Sequence, residues 1–155
     1  MAKARDIDGL DGAMPFREAA RATVRVRAQE LWEQSVDVLD TTDIERVHDM
    51  RVASRRLRAV LEIYAPCFPR DEHRAVLKDV KALADALGAR RDPDVQLEDL
   101  DGLEHALSAE DRPGLEFMRT HLLGEQRAGN AVLAEALEMA REHDLKGRLE
   151  RLVAQ

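Results

Sequence analysis

The chain has 155 residues, of which 45% are hydrophobic and only 3% aromatic, and its net charge at pH 7 is −7. This length suits one domain with its own core, and the abundance of Ala, Leu, Val, Arg and Glu predicts packed helices rather than sheet. The negative charge argues against a general nucleic-acid binder, Cys67 has no second cysteine for an internal disulfide, and no stretch approaches the roughly 20 apolar residues of a membrane span. We therefore expect an all-α protein of the cytoplasm.

The first half of the chain predicts a leader followed by two helices. Residues 1–14 are expected to form a mobile leader, and Pro15 suits the first position of a helix that extends to about Leu39. Residues 42–45, Thr-Asp-Ile-Glu, fit a capping box, in which the Thr hydroxyl caps a backbone N–H and the Glu side chain reaches back. The second helix should then extend to about Tyr64, where the prolines that follow stop it.

The second half predicts further helices over 70–87, over 92–107, from Ser108 onward and over 144–153. Gly88 is expected to end the first of these, because a glycine readily takes the left-handed conformation that closes a helix. Asp92 and Pro93 fit the cap and first position of the next one. Residues 15–155 are therefore expected to form a single bundle of about five to six helices.

The predicted second helix carries a dense group of basic residues. At 100° per residue, a face about 80° wide collects four of them: His48, Arg51, Arg55 and Arg58. Guanidinium groups bind phosphate oxygens in a bidentate manner, so this face is a candidate polyanion-binding surface. Two alternatives remain open: carboxylates such as Glu62, at i+4 from Arg58, neutralise the face internally, or the face docks an acidic protein partner.

Two segments of the chain resemble the CHAD domains, the conserved histidine α-helical domain family. The first is 47–58, with the sequence VHDMRVASRRLR. The second is 81–95, KALADALGARRDPDV, which is similar to the family's lysine-containing helix, glycine stop and Arg-Asp-x-Asp-Val start of the next helix. The resemblance implies an all-helical domain that binds inorganic polyphosphate through a basic groove or pore and, in several organisms, accompanies polyphosphate granules.

The resemblance also implies, position by position, a polyphosphate-binding surface made of His48, Arg51, Arg55, Arg56, Arg58, Lys81 and Arg91. Lys78 lies one helical turn from Lys81 and is added because it can share the same face. Arg56 points away from the other arginines at 100° per residue. Arg17 and Arg21 form a similar pair on the first helix, but no motif fixes their role.

Residues that could support catalysis lack the partners that catalysis requires. His48 and Asp49 spell the doublet of metal-dependent phosphohydrolases, but no histidine precedes them and no two histidines are spaced i, i+4. Asp92 and Asp94 could hold magnesium, although helix capping and pairing with Arg91 explain them better. We therefore expect a binding protein with no catalytic residue, no bound metal and no cofactor. Because aromatic residues are sparse, single-stranded nucleic acid is a poor candidate partner.

The family typically contains two repeated helical bundles, each with a basic helix, whereas this chain holds one such helix. The resemblance therefore covers what corresponds to one half of a CHAD domain. A two-fold homodimer is one way to supply the second basic helix, because a two-fold axis can replace an internal repeat. The apolar edge with Leu115, Met118 and Leu122 is a candidate contact for such a dimer.

Overall fold

Five α-helices and one short 3-10 helix make up the structure, a computed structural model that describes residues 3–155. In chain order they are α1 (Phe16–Glu33), α2 (Ile44–Ile63), the 3-10 helix (Ala65–Cys67), α3 (Arg70–Glu104), α4 (Arg112–Glu142) and α5 (Leu145–Ala154). No strand occurs among the residues described. The predicted all-α helical bundle is confirmed.

Helix α3 is the central element, because it packs against α2, α4 and α5, whereas α1 packs against α2 and α5. Its buried positions recur every three or four residues, which keeps one side of the helix in the core: His73, Val76, Val80, Leu83, Leu87, Arg90 and Asp94. From the other helices the largest fully buried apolar side chains include Leu31, Met50, Leu57, Leu61, Leu133 and Leu149. The core therefore draws on all five helices.

The C-terminal part of α3 and the N-terminal part of α4 pack against each other outside the main core and bury a second, smaller apolar cluster. It consists of Leu100, Leu115 and Leu122, with Leu97 packed against them. The candidate dimer edge is therefore wrong at Leu115 and Leu122, since both lie inside the chain's own core, whereas Met118 is exposed. Residues 98–116, which form most of this end of the hairpin, hold seven acidic side chains and only one arginine.

The start of α2 differs from the predicted capping box. The Thr42 hydroxyl donates to Asp40 Oδ1 at 2.7 Å, and its backbone N–H donates to the same oxygen at 2.9 Å, so Asp43 precedes the helix without a side-chain cap. These two hydrogen bonds from Thr42 lower the pKa of Asp40 below its ordinary value. The capping-box prediction was wrong because the turn before the helix uses the threonine first.

Helix α3 continues through Gly88 and Pro93, so the predicted glycine stop and the short separate helix were both wrong. A helical glycine costs about 1 kcal/mol relative to alanine, but the residues that follow, Pro93 and Asp94 among them, are buried at the helical spacing. The burial of these residues against α4 stabilises the continuous helix by more than the glycine destabilises it. A Cβ at Gly129 of α4 would lie 3.0 Å from the Ala89 carbonyl oxygen, so glycine is what lets the two helices approach so closely there.

A buried polar network joins α3 to α4 at this close approach. Arg90 and Asp94 are both fully buried and form an ion pair. The Gln126 side chain donates to Asp94 Oδ1 at 2.7 Å, and Arg90 Nε donates to Asn130 Oδ1 at 3.1 Å. The charges therefore have partners on both helices, which fixes the register of the hairpin.

The predicted mobile leader, residues 1–14, begins with two residues that lie outside the described part of the chain. Of the remainder, Arg5 donates from its backbone N–H to Glu30 of α1 at 2.6 Å, and its guanidinium pairs with Glu33. The mobility of this segment stays a prediction. Among residues 3–155, no helix has the length and apolar character that crossing a membrane requires.

Candidate functional site

The candidate site lies on the helical hairpin formed by α2 and α3. Pro66 and Pro69 prevent α2 from continuing, and the short 3-10 helix, which contains Pro66, begins the reversal of the chain. The reversal is held by His73, whose Nε2 lies 2.8 Å from the Leu61 carbonyl oxygen and must donate, since a carbonyl only accepts. The two helices therefore run antiparallel, and Lys81 of α3 reaches Glu62 in the last turn of α2, with the exposed Lys78 three residues before it in α3.

We use the name basic face for His48, Arg51, Arg55 and Arg58 of α2 together with Lys78 and Lys81 of α3. One carboxylate contacts both helices at one end of this face. Glu62 Oε1 lies 2.9 Å from Lys81 Nζ and 3.2 Å from Arg58 Nε. Hydrogen bonds from Lys81 first, and from Arg58 second, lower the pKa of Glu62 below its ordinary value. One negative charge thus serves two positive charges, and the cluster keeps a net positive charge.

Arg91 lies at the other end of the hairpin and is largely neutralised. Its guanidinium contacts Glu98 of its own helix at 3.3 Å and Glu45 of α2 at 3.9 Å. Only 11% of its side chain is exposed. The structure therefore does not place Arg91 on the basic face, and its predicted part in ligand binding stays a prediction.

The remaining cations of the predicted surface have no such partners. None of the ion pairs among residues 3–155 includes Arg51, Arg55, Arg56 or Lys78. Arg55 and Lys78 are exposed to solvent, and Arg51 is partly exposed. Arg56 is partly exposed as well, but its position on the helix is about 100° from Arg55 and outside the basic face. Internal neutralisation, the alternative left open by the sequence, therefore holds for Arg58 and Lys81 only in part.

His48 is partly buried near the start of α2, between two acidic residues. One ligand atom from each of Glu45, His48 and Asp49 lies within 4.8 Å of the other two. This juxtaposition follows from helical spacing, since positions i, i+3 and i+4 share a face. Two carboxylates therefore lie at this end of the basic face, an arrangement that the His48-Asp49 doublet of the sequence does not by itself indicate.

Arg17 and Arg21 lie on a different part of the surface. They line a depression with Cys67, Phe68 and Leu152, and Arg17 Nη1 donates to the Cys67 carbonyl oxygen at 3.4 Å. None of the residues lining that depression belongs to the basic face.

The buried Arg90–Asp94 ion pair was not predicted from the sequence, although the i, i+4 spacing of Arg90 and Asp94 could have indicated it.

Comparison with known protein families agrees with this geometry. The CHAD domain profile matches residues 19–155, nearly the whole chain. Searches of curated proteins and of solved structures found no match. CHAD domains are associated in general with polyphosphate binding and are typically non-catalytic binding domains. Because the matched region includes α2, α3 and the hairpin that joins α3 to α4, the chain belongs to the CHAD domain family.

Proposed function

We propose that the basic face binds inorganic polyphosphate. The observation that carries this proposal is the imbalance of charge on the face: among residues 3–155, no carboxylate pairs with Arg51, Arg55 or Lys78, and Arg58 shares Glu62 with Lys81. Guanidinium groups at one-turn intervals repel one another unless an anion lies along them, and a chain of linked phosphates supplies negative charge at short, regular intervals. The family's general association with polyphosphate points to the same ligand.

The antiparallel hairpin gives the ligand a direction. Arg51, Arg55 and Arg58 follow one side of α2 over about two turns, roughly 10 Å, and the lysines of α3 flank the end near Glu62. At the opposite end lie two carboxylates, Glu45 and Asp49, of which Glu45 is 3.9 Å from Arg91, and they are less favourable neighbours for a polyanion than the arginines are. The ligand is therefore expected to lie along α2 from Arg51 toward Lys81 and to avoid the first turn of the helix.

A direct comparison of three polyanions tests the proposal. Long-chain polyphosphate, single-stranded DNA and an acidic polypeptide are titrated into the protein at the same ionic strength. Tightest binding of polyphosphate supports the proposal, whereas tightest binding of the acidic polypeptide favours a protein-docking role for the same face.

If polyphosphate is the ligand, a fluorescent fusion is expected to localise with polyphosphate granules in the cytoplasm, and a diffuse distribution in granule-containing cells would contradict that location.

The affinity for polyphosphate is expected to fall steeply with salt. If about six basic groups contact the chain, counterion release gives a slope of log K against log salt near −4, using the coefficient for single strands as a guide. A fourfold rise in salt then weakens binding by roughly two to three hundredfold. Binding isotherms at four or more salt concentrations measure this slope, and a slope near zero would show that the interaction is not electrostatic.

Glu62→Gln is expected to tighten polyphosphate binding by about threefold to tenfold, because it removes the one carboxylate that Arg58 and Lys81 share. Its exposed side chain makes little difference to stability. The measurement is the dissociation constant at fixed salt, with Glu150→Gln, an exposed carboxylate on α5, as the matched control. Unchanged or weaker binding of Glu62→Gln alone would place the ligand away from this cluster.

A further inference from the structure

Among residues 3–155, no other helix covers one side of α4. Its buried side, which includes Leu122, Gln126, Leu133 and Ala140, packs toward α3 and α5. About 130° around the helix from these residues runs a second row at spacings of three and four, here called the α4 seam: Phe117, His121, Gly124, Ala128, Val132, Glu135 and Met139. At 100° per residue, all seven fall within about 80° of one another.

The seam is apolar for its position on the surface. Phe117 is 76% exposed, Met139 53% and Val132 49%, and small residues fill the middle of the row. It extends over about 33 Å, the length of 22 helical residues. An unpartnered apolar row of this length on an edge helix is typical of a surface that binds another molecule.

Gly124 leaves room on the seam for a neighbouring side chain. A glycine inside a helix costs about 1 kcal/mol relative to alanine, and a Cβ at this position would meet no atom of residues 3–155 within 4 Å. Gly129, on the buried side of the same helix, is different, because a Cβ there would crowd the backbone of α3. The packing of α4 on α3 therefore explains Gly129, whereas Gly124, like Gly88, Gly102 and Gly114, faces open space.

The order of residues along the seam is self-complementary. When two copies of α4 lie antiparallel about a two-fold axis at Ala128, the bulky Val132 of each copy faces Gly124 of the other. Phe117 then faces Met139 at each end of the contact. In the same register His121, whose Nε2 also lies 3.3 Å from Glu125 Oε1 of its own helix, faces Glu135, so an imidazole N–H meets a second carboxylate.

We infer that the α4 seam is the contact between two copies of this chain in an antiparallel two-fold dimer. Every residue of the seam serves twice, as an isologous interface requires. The contact is narrow compared with the roughly 800 Å² that each partner contributes to a stable interface, so the dimer forms in the micromolar range of concentration rather than permanently. The inference stands apart from the proposed polyphosphate binding, since its tests contain no polyphosphate.

The basic face stays open in such a dimer. Helices α2 and α4 each pack on α3 and make little contact with each other, so pairing through α4 leaves α2 exposed. The dimer therefore carries two separate basic faces rather than one closed groove, and like charges are not brought together by its formation. A polyanion long enough to reach both faces would bind with a higher effective concentration than a short one.

Sedimentation velocity of the full chain, from low micromolar to submillimolar concentration, tests the dimer. Ala128→Arg places like charges against each other on the axis and is expected to weaken dimerisation at least about tenfold. Ala75→Arg, at an exposed position on α3, is the matched control and is expected to dimerise like the natural protein. A monomer at every concentration, or equal dimerisation of Ala128→Arg, would overturn the inference.

Three further variants test the register of the seam. Gly124→Ala is expected to raise the melting temperature while weakening the dimer several-fold, whereas a glycine without a neighbour would show only the first effect. His121→Glu is expected to weaken the dimer, and adding Glu135→Lys is expected to restore it. Ala128→Cys is expected to form a disulfide with its copy on oxidation, whereas Ala75→Cys, which lies outside the seam, is not. The native Cys67 is buried, so it does not compete in this experiment. Failure of both the rescue and the cross-link would contradict this register.

Discussion

Reversing two charges at the centre of the basic face, by Arg55→Glu with Arg58→Glu, is expected to abolish polyphosphate binding and to leave the helix content unchanged. Each charge-assisted contact contributes about 1.5–3 kcal/mol, so losing two of them and adding repulsion lowers the affinity by at least about a hundredfold. Arg55 is exposed and Arg58 partly exposed, so neither supports the core. The dissociation constant and the far-ultraviolet circular dichroism spectrum measure the two effects.

Two controls separate a local site from a general effect of charge. Arg112→Glu with Arg127→Glu changes the net charge equally at two exposed positions on α4 and is expected to affect binding far less. Leu57→Asp buries an unpaired carboxyl group at a fully buried position of α2 and is expected to unfold the domain. Equal loss of binding in the α4 pair would contradict a site on α2, and unfolding of the Arg55 and Arg58 variant would make those arginines structural.

The largest effect on stability is expected from Asp94→Ala. This variant leaves the Arg90 guanidinium buried without its carboxylate partner, and breaking a buried ion pair in this way costs about 3–5 kcal/mol in free energy of unfolding. The melting temperature should fall by roughly 10 °C for a domain of this size. Chemical denaturation and a thermal melt followed by circular dichroism measure both quantities.

Two comparisons show whether that loss comes from the unpaired charge. Asp99→Ala removes an exposed carboxylate from the same helix and is expected to change stability by no more than about 0.5 kcal/mol. Arg90→Met combined with Asp94→Ala removes both charges and is expected to be less destabilising than Asp94→Ala alone. If the double variant is no more stable than the single one, the hydrogen bonds of the network, rather than the buried charge, hold the hairpin together.

The sequence was most informative where a pattern repeats over many residues. The basic side of α2 follows from the spacing of Arg51, Arg55 and Arg58, and the buried position of Leu57 follows from the same periodicity. The family was also recognisable from two short segments, 47–58 and 81–95. These features are local to one helix, so they do not depend on how the helices pack.

Features that depend on packing were the ones predicted wrongly. Gly88 and Pro93 normally end a helix, but burial against α4 carries α3 through both of them. The sequence also gave no means of knowing that Glu62 would reach Lys81 of the neighbouring helix, because that contact depends on the register of the hairpin. Likewise, the spacing of Leu115 and Leu122 is the same for an exposed apolar edge and for a buried one. Only the structure shows that α3 covers both side chains.

The uninterrupted length of α3 also determines how the molecule responds to an electric field. Its 35 residues extend over about 52 Å and connect the lysines beside α2 to the acidic end of the hairpin, where residues 98–116 carry seven acidic groups. The positive and the negative region thus form a charge dipole along one rigid helix. Near a polyanion this dipole experiences a torque that turns the basic end forward before contact, so an overall negative protein can still approach a negative polymer productively. If α3 ended at Gly88, the positive region beside α2 and the acidic region at residues 98–116 would not lie on one rigid helix.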